Sequence, residues 1–217
     1  MSTPPLARRP GPSTRVRVRE HTAGSAVRQR EDRLATEEPL EIRLQWPGAP
    51  AQRVWVTMRS PGNDFELAVG NLFHEGFLQP ADLGTVAYCT DADLTPEEEF
   101  NVVTVSLRVP PLRVPSAHAP SSAACGVCGK DNIQEALHLV HSPGRSHEPL
   151  DLDTVRALPE QLRTHQRLFD RTGGVHAAAL ASAGGEILVI REDVGRHNAV
   201  DKLAGARILA HEEPSAA

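Results

Sequence analysis

The chain has 217 residues, a formal net charge of −5 and 4% aromatic residues, which is enough to bury the core of one or two domains. No run reaches the roughly 18 apolar residues of a membrane helix, and no apolar signal segment follows the early arginines. Only three cysteines are present, two of them in a Cys-x-x-Cys, so the composition predicts a cytoplasmic protein without a membrane partner and excludes a disulfide scaffold.

Residues 1–36 are predicted to be a disordered basic arm. They hold eight arginines against three acidic residues, several prolines and few large apolar groups. Arginines suit phosphate groups, but aromatic side chains are not interleaved among them. We therefore expect a solvated arm and no nucleic-acid partner.

Residues 37–110 are predicted to form a small α+β domain. Alternating apolar and polar residues predict strands at 40–44, 54–58, 85–89 and 100–109. A Ser-Pro-Gly-Asn turn ends the second strand. Asp64 is expected to cap the helix that follows, which ends near Gly76.

The Pro-, Ser- and Ala-rich residues 111–124 are predicted to be a linker or mobile loop, followed by an α/β domain at 125–212. Its predicted elements are a helix at 131–141, helical residues at 152–169, a hairpin of 175–180 and 187–191 turning at Gly184-Gly185, and a helix from 196 to 211. Alternating strands and helices favour an α/β class for this domain.

Cys125 and Cys128 form a Cys-Gly-Val-Cys motif just before the predicted helix 131–141, with Lys130 beside it. A helix N-terminus and a lysine both favour a thiolate, which is the form that attacks sulfur or binds metal. The pair suits a metal site, a disulfide or a sulfur-transfer site, and the scarcity of cysteine favours a chemical role.

Two further motifs are candidate sites. His176 begins a strand of small residues after Gly173-Gly174, and alone it is as well explained by a core histidine as by a ligand or base. A denser cluster lies at the next strand-to-helix turn, where Gly195 frees the backbone and helix N–H groups face an anion. Its candidate ligand-binding residues are Arg191, Asp193, Arg196, His197, Asn198 and Lys202.

Taken together, these segments resemble the accessory sulfurtransferases of formate dehydrogenase, the FdhD/NarQ family. The resemblance covers about residues 37–205 and is carried by four motifs. They are Arg-Ser-Pro-Gly at 59–62, Cys-Gly-Val-Cys-Gly at 125–129, Thr-Gly-Gly-Val-His-Ala-Ala-Ala-Leu at 172–180 and Arg-Glu-Asp-Val-Gly-Arg-His-Asn-Ala-Val-Asp-Lys-Leu at 191–203.

This resemblance implies a sulfurtransferase that takes sulfane sulfur from a cysteine desulfurase as a persulfide, with Cys125 as the carrier. It implies transfer to a guanine-dinucleotide molybdenum cofactor, as substrate rather than resident cofactor, for formate dehydrogenase. It also implies a cytidine-deaminase-like α/β sandwich, a homodimer, no metal, and binding of the cofactor by the cluster at 191–202 together with His176.

Members of this family continue beyond the point that corresponds to Ala217, through a segment linked to cofactor binding. From this difference we expect sulfur loading on Cys125 to be retained and cofactor sulfuration to be poor.

Two zinc proteins are the alternatives. A zinc deaminase uses a Cys-x-x-Cys pair, a histidine and a nearby glutamate, but His176 is followed by two alanines. A structural zinc site needs four ligands, and Cys125, Cys128, His176 and His197 have unusually wide spacing for one.

Overall fold

The computed structural model describes residues 9–91, 94–95, 98–113 and 150–214. The predicted linker from residue 114 onward, the Cys125–Cys128 motif and the predicted helix 131–141 lie outside these residues. The described elements are strands β1 (Ser13–Glu20), β2 (Arg28–Ala35), β3 (Glu38–Trp46), β4 (Ala49–Arg59), β5 (Leu83–Tyr88), β6 (Val102–Leu107), β7 (His176–Ala181) and β8 (Ile187–Asp193), and helices α1 (Asp64–His74), α2 (Leu152–His165), α3 (Arg167–Thr172) and α4 (Arg196–Leu209), with a 3₁₀ turn at Pro80–Asp82.

The largest sheet has four strands in the order β4-β3-β6-β5. β3 pairs antiparallel with β4 and parallel with β6, while β5 and β6 are antiparallel. Alternate residues of β3 point into the core, where Leu40, Ile42 and Leu44 are fully buried. This period of two is the pattern that predicted a strand there. All four predicted strands of this region are confirmed, three of them within two residues at each end, while β4 begins five residues earlier than predicted.

Helix α1 lies between the sheet and helix α4. Its Leu67 and Leu72 belong to the buried cluster that covers the sheet, and Ile208 of α4 completes that cluster. Two glycines allow the helices to touch: a Cβ on Gly70 would lie 1.8 Å from the Asp201 carbonyl oxygen, and one on Gly205 would lie 1.8 Å from that of Glu66. The predicted α/β domain thus shares its last helix with the core of the predicted small domain.

The predicted hairpin is confirmed as β7–β8, which packs against α4. Its turn uses Gly185 with a φ of 88°, a left-handed conformation that other residues adopt with strain. The predicted helical stretch 152–169 is two helices, α2 and α3, interrupted at Gln166. Asp151 caps α2 by accepting from the Thr154 N–H at 2.8 Å.

The prediction of a disordered arm is wrong for residues 13–35. Strands β1 and β2 pair antiparallel along their full length, from Ser13 opposite Ala35 to Glu20 opposite Arg28. Arginine alternates with valine at 15–19, which is a strand pattern that the high charge of the segment concealed. Opposite charges also compensate each other across the pair, as in the ion pair of Arg30 Nε on β2 with Glu20 Oε2 on β1 at 3.7 Å.

The predicted cap of α1 is also different. Asn63, at a φ of 58°, occupies the cap position without a side-chain bond to the helix, and Asp64 is the first helical residue. The Asp64 carboxylate instead bonds to a buried arginine, as described below. No helix within the described ranges is long and apolar enough to cross a membrane.

Candidate functional site

Two of the four sequence motifs meet at one buried cluster. The turn after β4 carries Ser60, and β8 ends at Asp193, which is fully buried. The Ser60 N–H donates to Asp193 Oδ2 at 3.1 Å, and the Val194 N–H donates to Ser60 Oγ at 3.1 Å. These reciprocal bonds fix the position of the β8–α4 turn on the end of β4.

Lys202 is the cation of this cluster and is 1% exposed. Its Nζ lies 2.7 Å from Asp193 Oδ2 and donates to the Ser60 carbonyl at 2.8 Å. A buried ammonium needs a compensating charge and filled hydrogen bonds, and both are present here. The ion pair therefore ties α4 to the β4 turn from inside the protein.

Asn198 adds a third connection between the two turns. Its Nδ2 donates to the Met58 carbonyl at 2.7 Å and to Asp193 Oδ1 at 3.0 Å, and its Oδ1 accepts from Thr57 Oγ1 at 3.3 Å. Asp193 Oδ1 also accepts from the Gly195 N–H at 2.8 Å. Asp193 therefore accepts hydrogen bonds from backbone and side-chain donors of the β4 turn, the β8–α4 turn and helix α4.

A second buried ion pair lies next to this cluster. Arg59 is fully buried and donates from Nε to Asp64 Oδ1 at 3.0 Å. Tyr88 donates its hydroxyl to Asp64 Oδ2 at 2.7 Å. Burial, and then the bond to this carboxylate, raises the pKa of Tyr88 well above its ordinary value. The Arg59–Asp64 pair fixes the first turn of α1 beside the Ser60 turn.

The predicted ligand-binding residues divide into buried and exposed groups. Asp193, Asn198 and Lys202 are buried and bond to other protein groups. Arg191 is partly exposed and forms a bidentate ion pair with Glu66, with Nη2 to Oε1 at 2.7 Å. The exposed members are His176, Arg196 and His197. His176 is the register partner of Asp193 across the β7–β8 pair, so it lies beside the same turn.

This division suggests what the arrangement can do. The buried cluster holds Gly195 and the start of the 14-residue helix α4 in one position. Arg196 and His197 sit in the first turn of that helix, where backbone N–H groups and the helix dipole favour an anion. The exposed rim at this turn has donors and positive charge suited to a phosphate group.

The sequence interpretation missed the partners that hold the cluster. Ser60 and Thr57 were not predicted as site residues, although the Arg-Ser-Pro-Gly turn carries the resemblance. Glu66, Asp64 and Tyr88 were also missed, because charged and phenolic side chains at these spacings fit an ordinary surface equally well. The sequence signal that pointed to these partners was the Arg-Ser-Pro-Gly motif at 59–62. In the structure, the arginine of this motif is buried.

Cys125 and Cys128 lie outside the described residues, so the carrier thiol and the zinc alternatives stay predictions. Within the described ranges, no group of three or more His, Cys, Asp and Glu side chains is arranged to hold a metal ion. The third cysteine, Cys89, is partly buried, and Arg43 Nη1 lies 3.5 Å from its Sγ. Burial, and then the neighbouring Asp91, raises the pKa of this thiol. A raised pKa lowers the fraction of the Cys89 thiol that is ionised at neutral pH.

Several named proteins are similar in sequence to this chain. Proteins named sulfur carrier protein FdhD from Mycobacterium bovis and Mycobacterium tuberculosis are each 42% identical over 204 residues, which is 90% of this chain and 72% of each relative. The protein of the same name from Streptomyces coelicolor is 42% identical over 206 residues, covering 92% of this chain and 70% of the relative.

A solved structure shares the fold. It is the crystal structure of a protein described as a formate dehydrogenase accessory protein from Desulfotalea psychrophila, with a TM-score of 0.63 and 19% identity. The match covers 95% of this chain and 73% of the other. The model of the FdhD/NarQ family matches residues 35–217, which include both turns of the buried cluster. The chain therefore belongs to the FdhD/NarQ family, as its sequence motifs predicted.

Proposed function

We propose that this protein is a sulfur carrier that takes sulfane sulfur from a cysteine desulfurase and delivers it to a guanine-dinucleotide molybdenum cofactor for formate dehydrogenase. The observation that carries the proposal is the family match over residues 35–217. The relatives named sulfur carrier proteins, each 42% identical to this chain, support the same function. The order of the cysteine, histidine and α4 motifs along the sequence supports it.

In the loading step, the Cys125 thiolate attacks the outer sulfur of the desulfurase persulfide. A sulfur–sulfur bond forms to Cys125 while the old sulfur–sulfur bond breaks, and the desulfurase cysteine leaves as a thiolate. Sulfur oxidation states and charge balance without an added oxidant or reductant. Cys128 is positioned by sequence to exchange with the loaded sulfur.

In the delivery step, this protein's role is to bind the cofactor as substrate. We assign the exposed Arg196, His197 and His176 to its nucleotide phosphates, since they surround the first turn of α4. Asp193, Asn198 and Lys202 act as positioning residues, because their side chains are bonded within the protein and fix the turn. Arg191 has the same role through Glu66.

Several further assignments belong to the same proposal. We propose that the described elements β7, β8 and α4 are part of a cytidine-deaminase-like α/β sandwich. The protein acts in the cytoplasm as a homodimer, with a cysteine desulfurase and formate dehydrogenase as partners. Their support is the family membership and the mixed α/β architecture.

The test of the carrier role is the amount of cyanide-reactive sulfane sulfur that the protein acquires from a desulfurase and cysteine. We expect close to one equivalent for the wild type and for Cys89→Ser, the matched control that keeps both motif cysteines. The Cys125→Ser/Cys128→Ser variant should acquire none. Equal sulfur in that variant and in the wild type would contradict the proposal.

A further inference from the structure

An open cleft lies where the β1–β2 hairpin meets helix α3. It has a volume of about 300 Å³ and is lined by Arg15, Glu31, Asp32, Arg33 and Arg171. The hairpin and α3 are in contact, and Ala35 at the end of β2 lies near the loop after α3. The cleft lies outside the cluster at the α4 turn and uses none of its residues.

Arg15 and Arg33 lie directly opposite each other in the antiparallel register of β1 and β2. Opposed residues of such a pair share one face of the ribbon, and like charges there destabilise the pairing. Arg33 Nη1 donates to Ser13 Oγ at 3.2 Å, which is a neutral partner. The repulsion between these two guanidinium groups is relieved when an anion lies between them.

The acidic residues of the cleft compensate only part of this charge. Asp32 faces away from Arg15 in register and pairs with Arg30 at 3.0 Å. Glu31 is opposite Arg17, another arginine of the same face. Among the described residues, the guanidinium groups of Arg15 and Arg171 form no hydrogen bond or ion pair. Three arginines therefore line the cleft with two carboxylates, and each carboxylate has another arginine beside it, Arg30 for Asp32 and Arg17 for Glu31.

Arg171 is held at the cleft by the anchoring of its helix. The Glu192 carboxylate accepts from the N–H groups of Leu168 and Phe169, both at 2.8 Å. Leu168 is buried, and the neighbouring Asp170 pairs with Arg163 instead of Arg171. The guanidinium of Arg171 is thus carried on a fixed backbone and its charge is not cancelled on α3.

We propose that this cleft binds a diphosphate group between Arg15, Arg33 and Arg171. Guanidinium groups match phosphate oxygens with paired hydrogen bonds, and a diphosphate offers enough oxygens and charge for three of them. The cleft is at the small end of the range for ligand pockets, which fits such an anion, either free or as part of a nucleotide.

The experiment is calorimetric titration of the full chain with inorganic pyrophosphate, inorganic phosphate and ADP at constant ionic strength. We expect saturable binding of pyrophosphate, at least about tenfold tighter than phosphate. If ADP binds as tightly as pyrophosphate or more tightly, the diphosphate belongs to a nucleotide; if it binds more weakly, the ligand is the free anion. No saturable binding of either diphosphate would overturn the proposal.

Variants separate the cleft from general positive charge. Arg15→Gln and Arg171→Gln should each weaken pyrophosphate binding about tenfold or more, since each removes a charged donor. Arg28→Gln is the matched control, because Arg28 lies on the same hairpin opposite Glu20 and outside the cleft. It should change the affinity by less than about twofold. An equal loss in the control would show diffuse attraction and contradict the site.

A second readout needs no ligand-binding signal. Because Arg15 and Arg33 repel each other, Arg15→Gln should unfold at a slightly higher temperature than the wild type without pyrophosphate. Added pyrophosphate should then raise the unfolding temperature of the wild type and leave that of Arg15→Gln nearly unchanged. An equal stabilisation of both proteins by pyrophosphate would place the anion elsewhere.

Discussion

Lys202 Nζ lies 2.7 Å from Asp193 Oδ2, and the two side chains are 2% and 0% exposed. They join the inner face of α4 to the end of β8, and both contact Ser60 of the β4 turn. A buried charge without its partner is costly, so this pair makes the geometry of the turn depend on both residues.

We expect Lys202→Met to destabilise the protein by about 3–5 kcal/mol, because the Asp193 carboxylate would stay buried without its counter-charge. Denaturant unfolding monitored by circular dichroism measures the change. Arg196→Met is the control, since it removes one positive charge from an exposed position of the same helix and should cost less than about 0.5 kcal/mol. Similar losses of stability in both variants would show that the buried ion pair contributes no more to stability than an exposed charge does.

Tyr88 is the only tyrosine of the chain, so the ultraviolet absorbance of tyrosinate reports on it alone. Burial and the Asp64 bond raise its pKa, so the folded protein should show little tyrosinate at pH 10.0, the ordinary pKa. Half ionisation of the folded protein at that pH would contradict the bond to Asp64. Denatured protein serves as the reference with an unshifted titration.

The same shift predicts how stability depends on alkaline pH. A raised folded pKa means that the folded state holds the phenol proton more tightly than the unfolded state. The stability it confers is complete below pH 10.0 and is lost as the pH rises above that value. Tyr88→Phe should lose about 1 kcal/mol at neutral pH and should show a weaker alkaline decline. An unchanged alkaline decline would assign it to other groups.

Gly70→Ala should destabilise the contact between α1 and α4, although alanine is the better helix former. The added Cβ would lie 1.8 Å from the Asp201 carbonyl oxygen, so one helix must move away from the other. We expect a loss of about 1–3 kcal/mol in thermal unfolding, as for other overpacked sites. Gly11→Ala, which meets only an oxygen 4.0 Å away, should be neutral. A stabilised Gly70→Ala protein would contradict the close approach.

The sequence predicted the elements that have a clear hydrophobic period. Strand β3 and the β7–β8 hairpin follow directly from alternation and a glycine turn, and α4 follows from its helical spacing. The β1–β2 hairpin was missed because its alternating residues are mostly charged, so composition suggested disorder. The cross-strand register that compensates these charges is a property of the folded pair.

The sequence predicted the turn at which the candidate site lies. Only some of the residues that it predicted there have exposed side chains. The motif of 191–203 does mark a strand-to-helix turn, but its spacing does not tell which polar side chains face inward. Lys202 lies six residues after the start of α4 and is buried because the carbonyl of Ser60, from the distant β4 turn, and the carboxylate of Asp193, at the end of β8, bind its ammonium group there. Such long-range partners are set by the packing of α4 on α1 and β4.

The most direct measurement of the carrier role is mass spectrometry of the protein after incubation with a cysteine desulfurase and cysteine, first intact and then as peptides. We expect the mass of one added sulfur atom, removed by a reductant, on the peptide that contains Cys125. Cys125→Ser should lose this addition, whereas Cys89→Ser should keep it. Persulfide on Cys89, or undiminished loading of Cys125→Ser, would contradict Cys125 as the carrier.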